Sequence, residues 1–241
     1  MFTLSLVFFN RLAADESANP NANLKAFSSF PPAPLKLARE KNAPHLWLPE
    51  QPLPNELPFW RAKESIQKKM REERMIPVSV NKKNLEDAVI SYEIKGAGIV
   101  HAGGKKAFET SQKYQKLSEV SSHFKSVFYD EKNQQLFLVI EALGYETKMI
   151  LAMDTIEEKK RREIQFEVVW GELKGMRGAI GFENLDDEHS EVSILSHYQA
   201  KKFPLPKIFM GFAFEILTQK IAEKMRHFIE THRDESEPDK H

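Results

Sequence analysis

The chain has 241 residues, of which 41% are hydrophobic, and its 35 basic and 35 acidic residues balance to a net charge of zero. A neutral chain lacks the positive field that gathers nucleic acid or anionic lipid, so we expect no nucleic-acid partner and at most peripheral membrane contact. The chain contains no cysteine, which excludes disulfides, thiolate metal sites and cysteine nucleophiles.

The first ten residues, MFTLSLVFFN, form an apolar stretch near the length of a short secretory signal core. Residues 12–14 followed by Asp15 resemble a small-residue cleavage zone, which makes residues 1–14 a candidate signal segment. No Lys or Arg precedes the apolar run, so the segment resembles a signal whose basic start is missing, or an apolar disordered end. The pattern favours export to the periplasm over a cytoplasmic location.

Residues 15–85 form a proline-rich arm. Ten of the thirteen prolines lie between Pro20 and Pro77, and proline excludes regular helices and central strands from most of this stretch. A charged helix is predicted over 60–75 and ends before Pro77. Because the arm also carries many apolar residues, we expect parts of it to lie along the folded domain. It is also a candidate cap for a cavity and a candidate contact for a protein partner.

From residue 88 to residue 231 the pattern predicts one α+β domain. A first strand over 89–102 leads into a helix over 105–117 and a second helical segment over 119–123. Six further strands are predicted, with turn residues between them: 125–129, 135–143, 146–155, 163–172, 176–184 and 190–200. A succession of strands joined by short turns predicts an antiparallel sheet with one covered face.

Alternation of apolar and polar residues is clearest in the strand over 163–172. Ile164, Phe166, Val168 and Trp170 are expected to share its buried face. The helix predicted over 207–231 covers the sheet. Its apolar stripe recurs at spacings of three and four: Met210, Phe214, Leu217, Ile221, Met225 and Phe228. Residues 232–241 are predicted to form a disordered tail.

This element order resembles the START-like superfamily, also called SRPBCC, over residues 90–229. Several local patterns carry the resemblance: Gly103-Gly104 before a helix, Tyr114 with Leu117 and Glu119, FKSVFYD over 124–130, the glycine pattern over 171–185, and prolines before the last helix. The resemblance implies a helix-grip fold, in which a curved antiparallel sheet is wrapped on a long C-terminal helix.

The resemblance also implies a cavity between the sheet and that helix. Members of the superfamily hold lipids, sterols, polyketides or quinones there, and some are polyketide cyclases or coenzyme-Q-binding proteins. Tyr114 lacks the aspartate that commonly precedes it in that turn, which argues against quinone binding. The expected function is binding or transport of a hydrophobic small molecule or lipid. The candidate cavity-lining residues are Phe166, Val168, Trp170, Met210, Phe214 and Leu217.

Two other hypotheses stay open from sequence. A cyclase or hydrolase on the same fold would need a polar pair directed into the cavity, such as His197 with the neighbours of Tyr198 or with Glu167. A structural or interaction protein would fill the cavity with its own side chains. No catalytic residue, cofactor or metal is predicted: Gly96-Ala97-Gly98 lacks the third glycine of a dinucleotide fingerprint, and the five-residue spacing of His227 and His232 does not suit zinc.

Overall fold

The structure is a computed structural model that describes residues 57–142, 144–158, 161–201 and 207–234. The candidate signal segment, most of the proline-rich arm and the tail beyond residue 234 lie outside the described residues. The helices are α1 (Glu64–Glu72), α2 (Gly104–Ser111), α3 (Leu117–Val120) and α4 (Lys207–His232). The strands are β1 (Val78–Asn84), β2 (Ile90–Val100), β3 (Phe124–Asp130), β4 (Gln135–Ala142), β5 (Tyr145–Glu158), β6 (Arg161–Gly171), β7 (Arg177–Asn184) and β8 (Ser190–Ala200).

The strands form one antiparallel sheet of eight strands in the order β1-β2-β8-β7-β6-β5-β4-β3. Strands β3 to β8 follow one another as a meander, and β2 pairs with β8 at its end. The prediction of an α+β fold with a curved antiparallel sheet and a long C-terminal helix is confirmed. In the described ranges, no helix combines the length and the apolar character needed to cross a membrane.

Strand β1 was not predicted from the sequence. It pairs with β2 from Val78 opposite Gly96 to Asn84 opposite Ile90, so the sheet begins inside the stretch assigned to the arm. Its second half is exposed and lysine-containing, which is typical of an edge strand that must not recruit other strands. At Gly96 a Cβ atom would lie 3.0 Å from the Pro77 carbonyl oxygen, so the G-x-G motif gives the arm room to approach β2.

The sheet has an inner face, on which α4 lies, and an outer face. Tyr92 of β2 and Tyr198 of β8 are directly opposite each other, and both rings contact Phe214 of α4. Side chains alternate along a strand, so this contact assigns the face of every residue in register with them. Helix α2 lies on the same inner face, because the Phe108 ring contacts Phe182 of β7 at a centroid distance of 5.5 Å.

The described end of the arm is fastened to the domain. Trp60 and Met70 are buried against Ala97 on the outer face of β2. The Trp60 indole Nε1 donates to Glu191 Oε1 at 3.0 Å, and Arg61 Nη2 donates to the same oxygen at 2.8 Å. Residues 58–72 therefore lie along the outer face of the sheet.

Candidate functional site

The inner face carries two separate clusters of buried apolar side chains. The larger one, here called the closed-end cluster, surrounds Phe228 and Ile229 near the end of α4, which are 4% and 1% exposed. Helices α2 and α3 contribute Phe108 and Leu117 to it. The smaller one, here called the Phe214 cluster, contains these buried residues: Ile90, Tyr92, Ile94, Tyr198 and Phe214.

Several apolar side chains beside the two clusters are half-buried. Four of them pack against the closed-end cluster, and we group these four with Leu217 of α4, which is also half-buried, as the middle zone: Phe166, Leu173, Met176, Ile180 and Leu217. Leu173 and Met176 pack against both clusters, so the middle zone joins them. Leu217 follows Phe214 by one helical turn on the same side of α4. The middle zone is the part of the inner face that we consider as a candidate site.

The Phe166 ring forms one wall of the middle zone and lies over a glycine of the neighbouring strand. Phe166 of β6 is directly opposite Gly178 of β7. A Cβ atom on Gly178 would lie 2.5 Å from Phe166 Cζ, so glycine is the residue that lets the ring lie flat across the neighbouring strand.

The loop between β6 and β7, residues 172–176, closes one side of the zone. Gly171 has φ +107°, and a Cβ atom there would lie 1.9 Å from the Lys148 carbonyl oxygen, so the sharp turn into the loop requires glycine. The Val168 amide donates to the Met176 carbonyl at 2.8 Å, and the Tyr198 hydroxyl donates to the Glu172 carbonyl at 3.2 Å. These bonds hold Leu173 and Met176 against the inner face.

Neutral hydroxyls supply polar groups near the zone. Burial raises the pKa of Tyr92, Tyr198 and Tyr114, so all three stay protonated near neutral pH. The Tyr114 hydroxyl belongs to the closed-end cluster and has no hydrogen-bond partner among the described residues. A buried hydroxyl left unpaired costs about 1–3 kcal/mol.

The structure brings together some of the predicted lining residues. Phe166 lies in the middle zone, and Val168 lies on the same inner face but is 1% exposed within the closed-end cluster. Leu217 lies in the middle zone, and Phe214 borders it from the Phe214 cluster. Met210 belongs to α4, and its side chain is outside the described residues.

Trp170 does not share the face of Phe166 and Val168, contrary to the alternation predicted from sequence. Val168 pairs with Leu151, whereas Trp170 pairs with the preceding residue, Ile150, because the register shifts there. Adjacent residues of β5 point to opposite faces, so the β-bulge turns Trp170 to the outer face. The alternation pattern does not reveal a bulge, which is why the sequence placed Trp170 in the cavity.

The polar pair considered for catalysis is also on the outer face. His197 follows Ser196 and precedes Tyr198, which points inward, and its Nε2 lies 3.6 Å from Glu93 Oε1. Glu167 lies 3.4 Å from Arg177, which is directly opposite His197. Within the described residues, no group of three His, Asp or Glu side chains is placed to hold a metal ion.

Sequence reasoning missed three middle-zone residues, Leu173, Met176 and Ile180. The first two lie in a loop, where periodicity gives no information. The signal that would have found them is Gly171 and Gly175, both with positive φ, since they mark a tight loop that carries two large apolar residues.

A second concave feature, a cleft of about 230 Å³, lies on the outer face between α1 and the β7–β8 hairpin. Its walls include Arg61, which forms ion pairs with Glu183 and Glu191, and the hydrogen bond that Arg61 donates to Glu191 raises the pKa of Arg61. These ion pairs hold the described end of the arm on the domain. Because the walls carry paired charges, the cleft does not suit an apolar ligand.

Comparison with solved structures identifies the fold. A START superfamily protein from Mycobacterium smegmatis matches with a TM-score of 0.50 at 13% identity, covering 58% of this chain and 97% of that one. The Zhui aromatase/cyclase from Streptomyces sp. R1128 matches with a TM-score of 0.50 at 10% identity, covering 60% of this chain and 94% of that one. No protein-family model and no curated protein matches the sequence. The chain has a START-like fold, as the sequence resemblance predicts.

Proposed function

We propose that this protein binds or transports a hydrophobic small molecule or lipid in the middle zone, between the inner face of the sheet and α4. One observation carries the proposal. On α4, the half-buried Leu217 follows the buried Phe214 of one cluster and precedes the buried Phe228 and Ile229 of the other. A mostly apolar, concave space with few polar groups is the usual form of a small-molecule site.

The lining defines the chemistry of the ligand. Phe166, Ile180 and Leu217 offer an aromatic face and branched aliphatic surface, which suit a flat or aliphatic apolar body. The side chains that define the middle zone carry no charge, so a neutral ligand matches it better than a charged one. A cyclase or hydrolase is a weaker candidate, because His197 and Glu167 lie on the outer face.

A neutral, environment-sensitive dye such as Nile red tests this proposal by fluorescence titration. The wild-type chain is expected to bind the dye with a blue-shifted emission. Leu217→Trp fills the middle zone and should weaken binding by at least about tenfold, which corresponds to about 1.4 kcal/mol. The matched control, Leu185→Trp, adds the same ring at an exposed residue of the outer cleft, where Leu185 is 44% exposed, and should leave binding unchanged.

Two results would overturn the proposal: equal dye binding by wild type and Leu217→Trp, or loss of binding in Leu185→Trp alone. The second result would move the site to the outer cleft. If Leu217→Trp fails to fold, Ile180→Phe fills the same zone from the opposite wall and replaces it in the comparison. The far-ultraviolet circular dichroism of each variant is recorded beside its titration.

A further inference from the structure

The connection between α1 and β1, residues 73–77, passes from the outer to the inner face of the sheet, and we call it the strap. Before the strap, Met70 is 3% exposed and packs against Ala97 on the outer face of β2. Within the strap, Ile76 is 6% exposed and lies over Gly98, where a Cβ atom would be 3.2 Å from Ile76 Cγ1. Gly98 is on the inner face, because successive residues of a strand alternate. The strap therefore crosses the edge of β2 beside these two residues.

The motif Gly96-Ala97-Gly98 makes room for this crossing. Strand β1 begins opposite Gly96, and the Ala97 amide donates to the Pro77 carbonyl at 3.2 Å, so the strap occupies the edge of β2 just beyond β1. A Cβ atom would lie 3.0 Å from the Pro77 oxygen at Gly96 and 3.2 Å from Ile76 at Gly98, both closer than ordinary contact. The two glycines therefore let the strap lie close against β2.

The middle of the strap binds the end of α4. The Arg74 guanidinium forms an ion pair with Glu230, and Arg226 Nη1 donates to the Arg74 carbonyl at 2.6 Å. Glu230 Oε1 also accepts from the amide of His101, which follows β2, at 2.9 Å. Both the side chain and the backbone of Arg74 are therefore held by α4, which lies far from the strap in the sequence.

Arg74 has a backbone conformation that does not favour arginine. Its φ of +55° lies in the left-handed region, where glycine or asparagine is the usual residue. Burial raises the pKa of Glu230, whose side chain is 17% exposed, but the hydrogen bonds from Arg74 and the His101 amide lower it, and the resulting pKa is below the usual value. The carboxylate is thus ionised near neutral pH, and charge-assisted hydrogen bonds are stronger than neutral ones. These contacts with α4 offset the strain at Arg74.

We propose that the strap couples α1 to the end of α4, so that α1 leaves the outer face and the end of α4 loosens in one conformational step. The strap is short, and its two ends are fixed on opposite faces of β2, so Arg74 cannot keep its contacts when α1 moves. Coupling between two sites is reciprocal: displacing α1 loosens α4, and loosening α4 frees α1. An event at the described end of the arm thereby acts on α4, whether or not a ligand binds beneath that helix.

Hydrogen–deuterium exchange of the full-length chain, measured by mass spectrometry, tests this coupling. Glu230→Gln removes the ion pair from α4 and keeps the size of the side chain. It is expected to raise amide exchange in α1 and the strap by roughly tenfold, because exchange follows the population of the opened state. Arg74→Asn suits the left-handed backbone and removes the same ion pair from the strap, so it should raise exchange over residues 228–232 of α4. The double variant should exceed the larger single effect by less than about twofold, since both changes remove one interaction.

The matched control is Asp234→Asn, which breaks the ion pair between Asp234 and Lys106 of α2 beside the same end of α4. It leaves the strap contacts in place, so exchange in α1 should stay at the wild-type rate. The proposal is wrong if α1 exchange does not rise in Glu230→Gln, if α4 exchange does not rise in Arg74→Asn, or if Asp234→Asn raises α1 exchange equally. If Glu230→Gln fails to fold, as judged by circular dichroism, the comparison of Arg74→Asn with the control decides.

Discussion

The two ends of α4 lie on the same sheet but pack differently. Near its end, Phe228 and Ile229 are buried in a cluster with residues of α2 and α3, and near its middle, Leu217 is half-buried. The closed end packs against side chains of α2 and α3. We infer that the closed end of α4 supplies stability and that its middle is left free for a ligand.

The largest effect on stability is expected at the closed end of α4. Phe228→Ala removes a ring that is 4% exposed, and such truncations cost about 3–5 kcal/mol of unfolding free energy. Urea denaturation monitored by circular dichroism measures the loss. A cost below about 1 kcal/mol would mean that the closed end is loosely packed, and the contrast between the two ends would disappear.

Gly171→Ala is expected to have the next largest effect on stability, because it changes both the backbone and a wall of the middle zone. The new Cβ would lie 1.9 Å from the Lys148 carbonyl oxygen, in addition to the strain of φ +107°. Gly175→Ala is the matched control: it has φ +89° with no atom within 4 Å of the Cβ, so it carries only strain, about 1–3 kcal/mol. Gly171→Ala should cost more than Gly175→Ala in denaturation and should also weaken Nile red binding. Equal costs would show that the close approach at Gly171 is unimportant.

Leu217→Ala tests the middle of α4 with a smaller change in stability. Because the side chain is half-buried, we expect it to cost under about 2 kcal/mol, less than Phe228→Ala. Nile red affinity should change in Leu217→Ala and stay the same in Phe228→Ala at temperatures where both are folded. The reverse pattern would place the ligand at the closed end.

The sequence predicts most of this fold and part of the site. The stripe on α4 and the alternation in the meander follow from periods of 3.6 and 2, which are properties of local sequence. Strand β1 was missed because an edge strand is polar and does not alternate clearly, and Trp170 was misplaced because a bulge adds one residue without a sequence mark. Leu173 and Met176 were missed because their role depends on the loop geometry and on Tyr198, which is distant in sequence.

The smallest expected effect concerns the outer face. Burial lowers the pKa of His197, and the nearby charges of Lys95 and Lys83 lower it further, whereas Glu93 raises it. Arg177 of β7 is directly opposite His197. As the pH falls below about 6.5, the unfolded chain therefore takes up this proton first, and stability declines until the pH is below the lowered pKa of the folded state.

His197→Gln should remove that part of the pH dependence, which thermal denaturation between about pH 8 and pH 5 measures. Because His197 points away from α4, Nile red affinity at each pH should be the same in the variant and the wild type. An affinity that follows the titration of His197 would place this residue at the ligand site and contradict its assignment to the outer face.

Native mass spectrometry tests the central claim most directly. The full-length wild type and Leu217→Trp are each incubated with a lipid extract of the expression host, separated from free lipid and measured under non-denaturing conditions. The wild type is expected to retain one apolar molecule per chain, and Leu217→Trp should appear at the mass of the protein alone. A wild type that retains nothing, or equal retention by both chains, would contradict a ligand site in the middle zone.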